Sequence, residues 1–138
     1  MELDFEKIVS LKNVRIEKSN LSEKEQVLSK PLLDDRGLIK EIYTKFIEVL
    51  NERCMPPVTG SVLQRKKFIF IVLYLYSPST LAGGKMPKGL RDDICSVLGL
   101  NSVSTISDNC ADVVFLYQNY SDFSKDIDDI FKAVMERI

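Results

Sequence analysis

The residue types able to do chemistry are few in this chain, and one is missing altogether. Its 138 residues include no histidine. That removes the commonest general base, the usual activator of a serine or cysteine nucleophile, and the commonest metal ligand. The three cysteines, Cys54, Cys95 and Cys110, are widely spaced and form no C-x-x-C pair, so neither a disulfide framework nor a zinc site is expected. Cys95 and Cys110 fall on apolar stripes and read as buried, reduced thiols, which points to synthesis in a reducing compartment. The run "GGK" at Gly83–Lys85 invites comparison with a phosphate-binding loop. It fails at both ends, because Ser79 stands where the first glycine is needed and Met86 follows the lysine. The carboxylates of "DIDD" (Asp126, Asp128, Asp129) match no calcium loop and sit where a helix start favours negative charge. No catalytic residue, metal or cofactor is expected.

What remains is charge. Between Ser61 and Arg91 there are six basic residues (Arg65, Lys66, Lys67, Lys85, Lys88 and Arg91) and no acidic one. From Asp92 onward nine acidic residues face three basic ones, so a net charge of −1 conceals a basic middle and an acidic tail. Such a dipolar arrangement suits oriented contact with a charged partner, neighbouring copies of the chain included. Arg65, Lys66 and Lys67 are therefore candidate partner contacts. Tyr117 and Tyr120, at the end of a long helical pattern, join them as amphipathic aromatics.

The elements that must carry these groups read as helices. "DDRGLIKEIYTKFIEVLNER" repeats apolar residues at spacings of three and four from Leu38 to Leu50, with Asp34 and Asp35 at its start; "CMPPVTG" stops it. "FIFIVLYLY" (Phe68–Tyr76) has strand propensity, but one strand makes no sheet. Its length from Val62 favours a helix buried nearly all round, closed at Ser77-Pro78. At nine residues the run is far short of the ~20 that cross a membrane. The acidic start "MELDFEKIVS" is unlike a secretory leader. In the N-terminal third we expect a short helix around Phe5–Lys12, an extended "NVRIEK", and a second helix capped by Ser22 with Glu25 and ended by Pro31. "STLAGGKMPKG" reads as loop, and further helices follow at Leu90–Leu98, at about Ser102–Tyr120 and through "SDFSKDIDDIFKAVMERI".

The expectation is an all-α, compact multi-helix domain over 1–138, with peripheral N-terminal helices in 1–33 and a helical core in 34–138. Within it, 90–120 carries a hairpin of two helices. Ile94, Leu98, Leu100 and Ile106 are apolar where those helices must pack, Cys95 is small at their contact, and Gly99 stands at the turn. With Thr105–Ser107 at the start of its second helix, this stretch resembles the helix-turn-helix superfamily over about 20 residues. The turn after Gly99 is one residue longer than that motif's usual form, and the second helix runs on past it.

The resemblance implies a DNA-associated, non-enzymatic protein. Ser102, Ser104, Thr105, Asp108 and Asn109 would face the groove, and Lys85, Lys88 and Arg91 would hold phosphate. The aspartates and the absence of arginine from that second helix count against it. The chain is also similar in general character to small proteins of bacteriophages and mobile elements. That similarity implies a cytoplasmic protein of a bacterial host, or one incorporated in a virion. Three partner classes stay open: DNA; other copies or structural proteins of a phage particle, reached by an adaptor or ring component; and the target of a small protein inhibitor.

Overall fold

We describe residues 2–53 and 61–138 of a computed structural model. Cys54 and the helix-stopping "CMPPVTG" lie outside the described residues. The chain forms two compact units, one ending at Lys30 and the other running Pro31–Ile138. The described residues are all-helical, with no strand. None of their helices is long and apolar enough to cross a membrane.

The first unit is a single helix, α1 (Phe5–Leu28), and corrects the expectation of two helices around an extended segment. Asp4 caps it, its side chain accepting from the Lys7 amide at 3.3 Å. Ser22 lies inside α1 rather than at its start. No glycine or proline stands between Phe5 and Leu28, so nothing enforces a break. The β-branched residues of "NVRIEK" cost only some tenths of a kcal/mol each. The Ser29 hydroxyl closes the helix on the Glu25 carbonyl at 2.7 Å.

The second unit is built around α3 (Val62–Tyr76). Ser61 caps its start by accepting from the Gln64 amide at 3.2 Å. Phe68, Ile69, Ile71, Val72, Leu73 and Leu75 are all buried, so this helix is covered on nearly every side and the strand-like composition is packing demand. Around it stand α2 (Ile39–Asn51), α6 (Ser104–Asn119) and α7 (Ser121–Met135). α2 buries Ile39, Ile42, Phe46, Val49 and Leu50, the stripe read from its periodicity. A single 3₁₀ turn, Arg36–Leu38, leads into it, and the Asp35 carboxylate accepts from the Gly37 amide at 2.9 Å.

The far end of α3 is pinned to the segment before α2. The Leu75 carbonyl accepts from the amides of Leu32 and Leu33 at 2.9 and 3.0 Å. The Tyr76 hydroxyl, whose pKa burial and then the charges of Asp35 and Asp34 push up to about 12, donates to the Asp35 carbonyl at 2.7 Å. Pro78 then begins a one-turn helix, α4 (Pro78–Leu81), inside the stretch read as loop. Proline at the first helical position loses nothing, since its missing amide would have had no partner there. α5 (Leu90–Leu98) follows and buries Leu90, Ile94 and Cys95. α6 and α7 meet at a one-residue break, where Tyr120 takes an extended conformation.

Candidate functional site

The hairpin of α5 and α6 turns through Gly99, which has φ +68°, a value that costs a residue with a β-carbon. The Leu100 amide reaches back to the Cys95 carbonyl at 3.0 Å, and the Cys95 thiol donates to the Leu100 carbonyl at 3.1 Å. This is a closed glycine C-terminus with both backbone and side-chain contacts across it. Ile94 and Ile106 are fully buried, and Leu98 and Leu100 pack half-buried against the same core. Asn101, Ser102 and Val103 lengthen the turn before α6. The Ser102 hydroxyl accepts from the Ser104 amide at 3.3 Å and lies 2.6 Å from the Ser104 hydroxyl, so these two side chains are occupied with each other at the helix start.

The face expected to read bases is only partly on the surface. Ser102, Ser104 and Asp108 are exposed and Thr105 is half-buried. Asn109 differs from the expectation: it is 6 % exposed, enclosed between Ile106 and Val113, and its amide nitrogen has no partner. Its position three residues after Ile106 and four before Val113 places it on the buried stripe of α6. The exposed residues farther along α6 are Ala111, Asp112, Phe115, Gln118 and Asn119, and none is basic.

The basic residues divide into two sets. Lys85, Lys88 and Arg91 are exposed and form no ion pair among the described residues. Their loop is held by Arg36, a residue no sequence pattern singled out. Its guanidinium donates to the Lys88 carbonyl at 2.7 Å and lies 3.5 Å from the Asp93 carboxylate. Gly89, at φ +86°, makes room for it, since a β-carbon there would stand 3.0 Å from the guanidinium. Arg91 also reaches the surroundings of Cys110: burial pushes that thiol up, and the Arg91 charge opposes the shift.

Arg65, Lys66 and Lys67 form the second set, and they turn inward. Lys67 is 8 % exposed, binds Asp126 of α7 at 2.5 Å and lies 5.9 Å above the Phe123 ring. Arg53 binds the other oxygen of Asp126. Burial raises the Asp126 pKa, but the hydrogen bonds from Lys67 and Arg53 and their charges outweigh it and hold the carboxyl below its ordinary value. Lys66 pairs with Asp112 of α6 at 3.4 Å, and Arg65 is half-buried. This part of the basic middle therefore meets the acidic tail within one chain. The expectation that it offers a surface to partners is corrected at Lys67, which the core encloses.

Tyr117 is half-buried as well. It stacks on Phe70 with centroids 4.6 Å apart, and its hydroxyl donates to Asp128 at 2.7 Å, which pushes its pKa up. Tyr120 is exposed, edge-on to an exposed Phe115 at 6.3 Å. It rims a surface groove of about 430 Å³ with Leu63, Leu116 and Phe123. The "DIDD" carboxylates disperse: Asp126 to Lys67 and Arg53, Asp128 to Tyr117, Asp129 to solvent. Among the described residues, no three acidic or cysteine side chains gather as metal ligands.

Among the described residues, most of the exposed large apolar side chains lie on or beside α1. None of its residues is buried, and Leu3, Phe5, Ile8, Val9, Leu11, Val14, Ile16, Leu21, Val27 and Leu28 all stand exposed on or beside it. The expectation of peripheral N-terminal helices assigns this segment no site residue; the only signal for one is the spacing of Leu11, Val14, Leu21 and Leu28, which Lys18 and Glu25 interrupt. Compared with known proteins, the chain matches no family, no relative and no solved structure.

Proposed function

We propose that the chain is a non-enzymatic assembly protein that engages a protein partner through α1. One observation carries this reading: a 24-residue helix with no buried residue that exposes Phe5, Ile8, Val9, Leu11, Val14 and Ile16 in its first half and Leu21, Val27 and Leu28 beyond. Helices in water owe most of their stability to burying an apolar face, and contiguous exposed apolar surface marks an interaction site. The exposed pair Phe115 and Tyr120 gives the second unit a smaller surface of similar character. A photocrosslinking amino acid placed at position 21, in the cell that makes the chain, tests the reading. We expect a discrete covalent adduct that disappears when Leu11, Val14 and Leu28 are changed to glutamine. No adduct, or one indifferent to those changes, overturns it.

DNA association is a second reading, favoured by the three exposed cations Lys85, Lys88 and Arg91 beside the α5–α6 hairpin. On it the loop grips phosphate, while Ser102, Ser104 and Thr105 add little affinity. With Asn109 buried, base reading loses its best adenine partner. Three phosphate contacts would give a slope of log affinity against log salt of about −2.7. The triple change K85E/K88E/R91E is then expected to abolish a low-salt mobility shift. Unaltered binding by that variant, or no shift by the wild-type chain at low salt, rules this reading out.

A further inference from the structure

Resting on the assembly reading of α1, we infer that the partner of this helix is the α1 of a second copy, packed antiparallel. From Leu11 to Leu28 the helix carries a heptad pattern. Leu11, Lys18 and Glu25 occupy one core position, and Val14, Leu21 and Leu28 the other. All four apolar members are exposed, from Leu11 at 47 % to Leu28 at 72 %. The opposite side of α1 (Phe5, Val9, Ile16) continues through Ser19 and Glu23 and is apolar again only at Val27.

Charge selects the direction. A parallel pair would set Lys18 against Lys18 and Glu25 against Glu25 inside the seam, where like charges are costly. It would also place Ser22 opposite Glu17 and Ser29 opposite Lys24, offering those charges nothing. In the antiparallel register that sets Leu11 opposite Leu28, Lys18 meets Leu21 and Glu25 meets Val14. Lys18 of one helix then lies one layer from Glu25 of the other. The flanking residues Glu17 and Lys24 face each other across the seam twice, once on each side of the two-fold axis. Lys18 also lies one layer from the Lys18 of the other helix, so the direction is set by the flanking Glu17–Lys24 pairs and by relief of the Glu25–Glu25 contact. The two-fold symmetry makes this surface self-complementary, so a second copy satisfies it with no further component.

Sedimentation equilibrium and light scattering on the full chain provide the test. The expected mass is twice the 15.7 kDa of one chain. Reversing Glu17 (E17K) turns two attractive contacts into repulsive ones and should weaken the dimer by about tenfold. The double variant E17K/K24E restores the opposite signs and should return association to within about threefold of wild type. Both positions are exposed on α1, so neither change touches the core, which the circular dichroism spectrum verifies. A dimer indifferent to E17K, or one that E17K/K24E fails to restore, overturns the antiparallel pairing. A monomer at every concentration overturns the second copy as partner. If the position-21 adduct then joins the chain to a different protein, the assembly reading stands without this inference; if no adduct forms, both fall.

Discussion

Changing Asp126 to asparagine is expected to destabilise the second unit by about 2–4 kcal/mol, a large share of the 5–15 kcal/mol that holds a typical domain folded. Asparagine keeps the shape of the side chain and removes its charge. What it leaves behind is the Lys67 ammonium, almost entirely enclosed, together with the Arg53 guanidinium. Breaking a buried pair from one side costs more than the pair contributes, because the remaining charge has lost its water and its partner. Here three elements are involved: Asp126 joins α7 to α3 and to the end of α2. Urea denaturation measures the effect as a lower midpoint at unchanged slope. A second change, Lys67→Met, should recover part of the loss in the double variant, since a thioether needs no counter-charge. A midpoint for Asp126→Asn equivalent to wild type within about 0.5 kcal/mol would refute the dependence of Lys67 on this carboxylate.

The same contact has a pH signature. The Asp126 carboxyl is held below its ordinary value in the folded chain, so its contribution is present above the unfolded carboxylate pKa, about 3.9, and lost as pH falls through the lower folded value. Wild type should therefore lose stability on acidification from about pH 4 downward, and Asp126→Asn should respond less. The gap between the two narrows in acid. The pair of Arg137 with Glu52, on the surface, is screened by water and should show a far weaker dependence.

Particular residues show how much of this was legible beforehand. α2 and α7 announce themselves by apolar residues every three or four positions, and α3 by its length and the lack of a second strand. These are local signals. Asn109 was legible too, because the interval between Ile106 and Val113 places it on the buried stripe, although its chemistry suggested a base contact. Lys67 was not. Whether a lysine beside two other basic residues faces water or core depends here on an aspartate 59 positions away, and a one-dimensional pattern has no access to that distance. Arg36 was illegible for the same reason, its partner carbonyl lying 52 residues along the chain. For α1 the difficulty was opposite. A brief alternation at "NVRIEK" and a Ser22–Glu25 capping pattern imitated boundaries that neither glycine nor proline enforces.

The contrast between the two units yields the second large effect. Phe68→Ala is expected to cost the second unit about 3–5 kcal/mol, the range for truncating a fully buried aromatic. Phe68 has no exposed surface. It meets Tyr43 edge-on at 4.9 Å and Phe46 at 5.4 Å, beneath a small, partly open pocket that Gln64 and Arg65 also line. Truncation would open a cavity there and remove two aromatic contacts at once, so the neighbouring rings cannot collapse to fill the space without leaving their own rotamers. Leu21→Ala removes a comparable apolar side chain from α1, where it is 66 % exposed. At concentrations where the chain is monomeric, that change should shift the unfolding midpoint by less than about 0.5 kcal/mol. The two variants should therefore separate what holds the second unit folded from what α1 is for. Phe68→Ala lowers the midpoint, and association is retained wherever the variant is still folded; Leu21→Ala keeps the midpoint and weakens association. If Leu21→Ala instead lowered the monomer's midpoint as Phe68→Ala does, α1 would be a structural helix of the fold, and the apolar surface on which the assembly reading rests would already be spent.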